Sequence, residues 1–448
     1  MSGVLALFAL ALAAPAFVER PCEDARLTPV ARCGTVGVPE DRRHPERRTI
    51  NLNVIVFRAT APVPGRAPLV DIDGGPGNPS TRSLEFYLSD GAPYYAQRDV
   101  VLFDQRGTGK SNGLHCPELA APEQAYVPML DPAKVMRCRK SLSGHADLRF
   151  YGTGEAVEDL EAVRQALGHA RIDITAVSYG TTMAMAYIAA YPRQVRAAVL
   201  TGVVPGFAMP PRFHATAAER ALKLVFAECA ADAACHAAIP DPDGDLVRAR
   251  TRVGSLAPEL FMERLRSLMY TAAGARLVPW IVHRAAAGDL EPFYKATRPR
   301  GPSALADGMF LSVTCSENFP AMDYPVALAQ ANATRFGDYR LRRQHHACAL
   351  WPRGKRANPD PLASDVPILI FSGRLDPVSP PEWGALALFG LPNGRQLIVP
   401  QGGHVFDGLS NIECFDALML RFFETADAKS LDSACLATML PPPFATGE

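Results

Sequence analysis

The first 205 residues alternate between short apolar runs and segments with helical spacing. The runs typical of buried strands lie at residues 69–72, 99–103, 172–177 and 195–203. Between them, residues 153–167 carry apolar side chains at a helical spacing, and Gly168 follows as a stop signal. Residues 33–38 and 49–58 predict a β-hairpin at the edge of the sheet. Strands that alternate with helices predict an α/β fold, with a mostly parallel sheet and helices on both faces.

The alternation stops at about residue 206 and returns after residue 356. Alanine-rich stretches at 215–230 and 260–273 predict helices in this interval. Strand-like runs reappear at 366–371 and 396–399. We therefore expect two parts of one core, at 17–205 and 357–448, with an inserted helical cap at 206–356. A helical satellite without a role at the active site is the alternative.

The amino terminus is an apolar run that ends in an A-x-A-like site. It predicts a secretory signal peptide at residues 1–16, cleaved after Ala16, although no Lys or Arg precedes the run. A membrane anchor is the alternative, but the run is shorter than a bilayer-spanning helix. We expect an exported protein, either periplasmic or secreted, without stable membrane insertion.

Composition and net charge bear on which partners the protein could bind. The 448 residues are 48% hydrophobic and 21% charged, as in a globular protein. Lys plus Arg and Asp plus Glu both number 46, so the formal net charge is zero. This balance offers no electrostatic case for binding nucleic acid or an anionic membrane.

Ten cysteines form an even set that suits an oxidising compartment. Pairing sequence neighbours predicts the bridges Cys22–Cys33, Cys116–Cys138, Cys229–Cys235, Cys315–Cys348 and Cys414–Cys435. Ten cysteines allow on the order of hundreds of other connectivities. A metal site is not indicated, because the chain has no C-x-x-C and no histidine at zinc-ligand spacing beside a cysteine pair.

The run at 172–177 leads into Ser178, which a helix-forming run at 183–190 follows. Small residues surround the serine, with Ala176 two positions before it and Gly180 two positions after it. A serine at a sharp strand-to-helix turn is the nucleophile elbow of an α/β-hydrolase. A serine that merely caps the helix is the alternative.

Asp376 and His404 supply the partners that a nucleophilic serine needs, in the chain order serine, acid, histidine. Each follows a predicted late strand. His404 would remove the serine proton, and Asp376 would hold the histidine tautomer. A turn-forming role before Pro377 is the alternative for Asp376. His345 and His346 lie in the predicted cap, where surface or satisfied polar roles are expected.

The oxyanion of a tetrahedral intermediate needs backbone N–H donors. The Tyr179 amide at the helix start is one candidate, and Gly75 in the G-G-P-G loop is the other, since Pro76 has no N–H. A tight turn is the structural alternative for this loop. The G-T-G-K-S run at 107–111 is not a phosphate-binding loop, because that motif requires glycine where Asp104 stands. No nucleotide, redox cofactor or metal is predicted.

Four motifs together resemble the prolyl iminopeptidase and tripeptidyl aminopeptidase branch of secreted α/β-hydrolases. They lie at residues 74–77, 103–111, 178–180 and 373–378. The resemblance covers about residues 30–440 and includes a cysteine-containing carboxyl-terminal segment. Departures are Asp73, where iminopeptidases usually carry His, and Ala176, where Gly is usual. The first weakens any specific claim of proline preference.

The resemblance implies a serine exopeptidase that cleaves residues from free peptide N-termini beneath a helical cap. Acidic cap residues read the α-amino group in that family, and the matching segment at 313–318 makes Glu317 the substrate-binding candidate. A solvated surface glutamate is the alternative. We therefore predict an exported, cofactor-independent aminopeptidase. A carboxylesterase or lipase would use the same triad, and a non-catalytic binding protein would be expected to lack a triad member.

Overall fold

A nine-stranded sheet organises the computed structural model, which describes residues 15–299, 301, 303–357 and 361–447. The predicted signal segment at 1–16 lies outside the described residues except for its last two. The strands are β1 (Phe17–Arg20), β2 (Ala31–Pro39), β3 (Thr49–Phe57), β4 (Leu69–Ile72), β5 (Val100–Phe103), β6 (Ile172–Val177), β7 (Val195–Thr201), β8 (Ile368–Gly373) and β9 (Gly394–Val399).

The strand order is β1-β2-β3-β5-β4-β6-β7-β8-β9. The six neighbouring strands β5, β4, β6, β7, β8 and β9 are all parallel to one another. The pairings β1 with β2, β2 with β3 and β3 with β5 are antiparallel. The predicted fold class, an α/β-hydrolase sheet that is mostly parallel, is confirmed.

Sixteen α-helices lie in the described residues. Those before β8 are α1 (Leu84–Leu88), α2 (Pro117–Ala120), α3 (Pro132–Leu142), α4 (Thr153–Ala166), α5 (Tyr179–Ala190), α6 (His214–Ala231), α7 (Ala233–Ala238), α8 (Pro242–Arg252), α9 (Pro258–Leu268), α10 (Ala272–Ala286), α11 (Glu291–Thr297), α12 (Asp307–Val313), α13 (Tyr324–Asn332) and α14 (Tyr339–Ala349). The last two are α15 (Pro381–Ala387) and α16 (Glu413–Thr425).

Both faces of the sheet are buried, as expected for parallel strands. On β5, Val101 and Phe103 belong to the core shared with α4 and α5. Val100 and Leu102 belong to the core shared with α16 on the opposite face. Burying such a side chain contributes about 1.5–3 kcal/mol. A separate apolar core lies among α6 to α10. The proposed limits of the cap and of the two core parts remain a prediction.

Two predictions of secondary structure were wrong in detail. The hairpin of β2 and β3 is not at the edge of the sheet, because β1 pairs with the outer side of β2. Three of the four residues of β1 are exposed and two are charged, so β1 lacks the apolar run that marks the buried strands. The single helix predicted at 260–273 is interrupted, since Thr271 caps a new helix by accepting the N–H of Gly274 through its side chain at 3.1 Å.

The structure bonds the ten cysteines in the five predicted neighbour pairs. Cα–Cα distances of 4.9–5.9 Å suit disulfide geometry. Five bridges are typical of a protein that folds in an oxidising compartment. In the described part of the chain, no helix has the length and apolar character to cross a membrane.

Candidate active site

Ser178, Asp376 and His404 each follow a parallel strand of the sheet. Ser178 comes directly after β6, while Asp376 and His404 lie in the loops after β8 and β9. Because the carboxyl ends of parallel strands meet at one edge, the three residues share that edge. The sheet therefore brings together residues that are far apart in the sequence.

Ser178 occupies a strained backbone conformation, with φ 56° and ψ −126°. A non-glycine residue there costs on the order of 1–3 kcal/mol, and such strain is common at active sites. Its N–H donates to the carbonyl of Thr201 on β7 at 2.9 Å. Gly180 allows a close approach, since a Cβ there would collide with the carbonyl of Ile72. Strain at the serine and close packing beside it are the features of a nucleophile elbow.

Asp376 and His404 form a buried pair. Nδ1 of His404 lies 2.8 Å from Oδ2 of Asp376, and the two side chains are 4% and 0% exposed. The other carboxylate oxygen accepts the backbone N–H groups of Val378 at 2.7 Å and Ser379 at 2.9 Å. An ionised carboxylate can only accept, so the hydrogen bond assigns a proton to Nδ1. In the neutral imidazole this leaves Nε2 as the acceptor, which is the tautomer that a general base requires.

Two contacts of this pair were missed in the sequence. The Ser379 hydroxyl donates to Oδ2 of Asp376 at 2.7 Å and lies 3.1 Å from Nδ1 of His404. Its position three residues after the aspartate, in a turn, is a signal that could have identified it. Tyr270 packs its ring edge-on against the His404 ring at 5.0 Å. Its carbonyl also accepts the N–H of Val405 at 3.0 Å, but this contact across the fold has no local sequence signal.

The G-G-P-G loop lies against the elbow. A Cβ on Gly74 would be 2.8 Å from the Ser178 Cβ and 3.2 Å from the Tyr179 nitrogen. Gly75 has a φ of 112°, which favours glycine. In the described chain, the N–H groups of Gly75 and Tyr179 donate to no protein acceptor. The two residues can therefore supply donors beside the serine, and their role in an oxyanion hole remains a prediction.

Asp73 precedes this loop, and its side chain accepts a hydrogen bond from one of the loop's N–H groups. Its Oδ1 accepts the Gly74 N–H at 2.5 Å. Burial raises the pKa of Asp73. The hydrogen bond from Gly74 acts in the opposite direction but is the weaker effect, so the pKa is raised overall. With the Gly74 N–H occupied, Gly75 is the glycine of this pair with a free donor.

Glu317 lies in a π-helical turn, Thr314–Asn318, and is only 7% exposed. Its Oε1 accepts the N–H of Thr153 at 2.6 Å, and its Oε2 accepts the Thr153 hydroxyl at 2.8 Å. Burial raises the pKa of Glu317 to about 7, against the two hydrogen bonds from Thr153. The solvated alternative is therefore wrong, while binding of a substrate amine by Glu317 remains a prediction.

A cavity of 1170 Å³ extends along the flank of α5. Its described lining includes Thr153, Thr182, Phe207 and Glu317, but not Ser178. The cavity thus lies beside the elbow helix rather than over the serine. Among the described residues, no group of three or more His, Cys, Asp or Glu side chains could hold a metal ion.

Comparison with protein families decides the classification. The family described as the alpha/beta hydrolase fold matches residues 67–242. The chain has the α/β-hydrolase fold. A second family, described as TAP-like protein, matches residues 331–435, so the carboxyl-terminal part of this α/β-hydrolase is TAP-like. The predicted resemblance to the iminopeptidase and tripeptidyl aminopeptidase branch is confirmed.

Several curated relatives of this α/β-hydrolase carry peptidase names. The serine protease Hip1 of Mycobacterium tuberculosis is 30% identical over 224 residues, or 46% of this chain and 42% of the relative. The tripeptidyl aminopeptidase of Streptomyces coelicolor is 30% identical over 190 residues, or 39% of this chain and 35% of the relative. A probable proline iminopeptidase of the same organism is 30% identical over 151 residues, or 34% and 37%. The chain thus spans about two fifths of the length of these relatives.

Solved structures include a proline iminopeptidase from Mycobacterium smegmatis. It is 15% identical to this α/β-hydrolase, with a TM-score of 0.45. The match covers 88% of this chain and 98% of the solved chain.

Proposed function

We propose that this α/β-hydrolase is an exported serine aminopeptidase that cleaves residues or short peptides from free peptide N-termini. The observation that carries the proposal is the strained Ser178 at the same sheet edge as the buried pair of His404 and Asp376. Peptide substrates are favoured by the TAP-like segment and by the peptidase names of the relatives. Export is supported by the five cysteine pairs and the apolar amino terminus.

The proposed reaction is acyl transfer through Ser178. Its hydroxyl attacks the peptide carbonyl while Nε2 of His404 takes the proton, and Asp376 stabilises the resulting imidazolium. The carbonyl oxygen becomes an oxyanion that the Gly75 and Tyr179 N–H groups stabilise. Collapse of this intermediate breaks the peptide C–N bond, and the proton on His404 passes to the leaving amine. Water then hydrolyses the acyl-enzyme by the same proton transfers.

The preference for a free amine separates an aminopeptidase from other serine hydrolases. The test uses aminoacyl, dipeptidyl and tripeptidyl 4-nitroanilides, each with a free and with an acetylated N-terminus, together with a butyrate ester. We expect cleavage of at least one free-amine series and at least a roughly 100-fold lower kcat/KM after acetylation. Loss of a buried charge-assisted hydrogen bond worth about 3 kcal/mol has this effect.

Each other outcome contradicts the aminopeptidase proposal in a different way. Equal cleavage of free and acetylated peptides would identify a peptidase that does not read the amine. Cleavage of the ester alone would identify a carboxylesterase. No turnover of any substrate would favour a binding protein with a hydrolase fold. Ser178→Ala, purified and measured in the same way, reports the activity of any contaminating enzyme, which is then subtracted.

A further inference from the structure

A chain of buried hydrogen bonds connects Glu317 to the residue that follows Ser178. The Thr153 Oγ1 lies 2.8 Å from Oε2 of Glu317 and 2.8 Å from the hydroxyl of Tyr179. A hydroxyl has one proton to donate, and the carboxylate can only accept. When the Glu317 carboxyl is ionised, Thr153 donates to it and Tyr179 donates to Thr153. The Thr153 N–H adds a second bond to the same carboxylate at 2.6 Å.

The three side chains that form these hydrogen bonds are largely buried. Thr153 is fully buried, and Tyr179 and Glu317 are each 7% exposed. Burial raises the pKa of Tyr179 well above its ordinary value, so its phenol keeps the proton that it donates. A buried polar group left without a partner costs about 1–3 kcal/mol. Removing any one of the three polar side chains therefore leaves a buried polar atom of the next one without its hydrogen-bond partner.

Glu317 itself is anchored on either side along the chain. Cys315, two residues before it, is bonded to Cys348 on α14. Ser316 accepts the N–H of Gly354 through its hydroxyl at 2.8 Å. The π-helical turn is thus held in place before it contacts Thr153, at the start of α4. The carboxylate is a fixed point toward which the Tyr179 side chain is oriented.

Tyr179 is the first residue of α5, and its backbone N–H lies next to Ser178. We propose that Glu317 is a positioning residue, which through Thr153 holds Tyr179 and the backbone N–H beside the nucleophile. This inference rests on the proposed function, because it assigns an effect on attack by Ser178. In this role Glu317 affects every substrate of Ser178, whereas an amine-binding glutamate affects only substrates with a free amine.

A fluorophosphonate tests this difference, because it carries no amine. Its phosphoryl oxygen takes the place of the oxyanion while the serine oxygen displaces fluoride. The measurement is the second-order rate constant for inactivation of the full chain. We expect Glu317→Gln, Thr153→Val and Tyr179→Phe each to slow inactivation about tenfold, equivalent to about 1.4 kcal/mol. Thr153→Ser keeps the hydroxyl and should restore most of the rate.

Matched controls use exposed residues of the cap. Thr251→Val removes an exposed hydroxyl that donates to the Arg248 carbonyl, and Glu259→Gln removes an exposed charge. Neither should change the inactivation rate. Because the groups act as one chain, the double variant of Glu317→Gln and Tyr179→Phe should be about as slow as either single variant.

The outcomes separate this inference from the proposed function. Unchanged inactivation of Glu317→Gln and Tyr179→Phe would overturn the positioning role. Normal inactivation with weaker cleavage of free-amine peptides would also overturn it and would assign Glu317 to amine binding. A wild-type protein that does not react would refute the serine hydrolase itself. Thermal unfolding checks each variant, and Tyr179→Phe, which loses only one oxygen, carries the test if Thr153→Val does not fold.

Discussion

Nδ1 of His404 and Oδ2 of Asp376 lie 2.8 Å apart in a buried pair at the carboxyl edge of the sheet. Both oxygens of Asp376 have further donors, so the carboxylate is held in one orientation. The imidazole is therefore presented with Nε2 unprotonated. We propose that this pair is the general base for Ser178, and the following predictions test that assignment.

Ser178→Ala should abolish turnover without loss of the fold. The variant removes the attacking oxygen, so kcat/KM should fall by about 10⁴-fold or more. Its unfolding midpoint in urea should match that of the wild type, because alanine has nearly the same shape. Ser143→Ala, at an exposed helix end, is the matched control. Turnover retained by Ser178→Ala would refute the nucleophile assignment.

Asp376→Asn should lower kcat by about 10³–10⁴-fold with little change in KM, because the amide can donate to Nδ1 and favour the wrong tautomer. Steady-state kinetics on the best free-amine peptide measures the effect. The control is Asp90→Asn, at an exposed position. A loss seen only in KM would mean that Asp376 binds substrate instead.

Ser379→Ala should have a smaller effect. Asp376 would lose one hydrogen bond to Oδ2 and keep the others, so we expect kcat to fall about tenfold. A loss as large as that of Asp376→Asn would mean that the Ser379 hydroxyl, rather than the carboxylate, governs the histidine tautomer.

Acid should destabilise the protein partly through Glu263. Its Oε1 accepts from Arg266 at 2.8 Å and from Arg340 at 2.7 Å. Burial alone would raise the pKa of Glu263, but the two guanidinium groups outweigh it and lower the pKa from 4.5 to about 2. A depressed pKa gives stability that is present above the ordinary pKa and is lost as the pH falls from about 4.5 towards 2.

Glu263→Gln should therefore lower the free energy of unfolding by on the order of 3 kcal/mol at pH 7, and the deficit should shrink as the pH falls below 4.5. Urea unfolding at pH 7, 5 and 3.5 measures the difference. Glu259→Gln, which removes an exposed charge on the same helix, should show no deficit at any pH. A constant deficit for Glu263→Gln would contradict the ion-pair account.

The disulfides should contribute unequally to stability. Cys315–Cys348 closes a separation of 33 residues and Cys229–Cys235 one of 6. In the chain-entropy model, removing the longer bridge by double serine substitution should cost about 1.5 kcal/mol more than removing the shorter one. Urea unfolding compares the two variants. Equal losses would contradict the entropic account, and a mass gain on alkylation without reduction would contradict the bridges themselves.

The repeating pattern of apolar strands and helices was enough to predict the sheet and its fold class. Parallel strands are buried on both faces, so β5 to β8 stand out as apolar runs. Ser178 could be singled out as a candidate because an elbow is local, with a strand, a tight turn and a helix within about twenty residues, and its role stays a prediction. Asp376 and His404 were candidates because each follows a late strand; the structure places them in contact, and their catalytic roles stay predictions.

Contacts that depend on tertiary packing were not predictable. Tyr270 contacts His404 only because the helical segment between β7 and β8 packs on the loop after β9. The chain from Glu317 through Thr153 to Tyr179 joins residues from three separate elements. The edge strand β1 is mostly exposed and half of its residues are charged, so its sequence has no apolar run to reveal it.

The most direct test of the central claim is peptide mapping by mass spectrometry after reaction with a fluorophosphonate. If Ser178 is the activated nucleophile, the wild type should carry a single adduct on the peptide that contains Ser178, and Ser178→Ala should carry none. An unmodified wild type, or an adduct on another serine that persists in Ser178→Ala, would contradict the account.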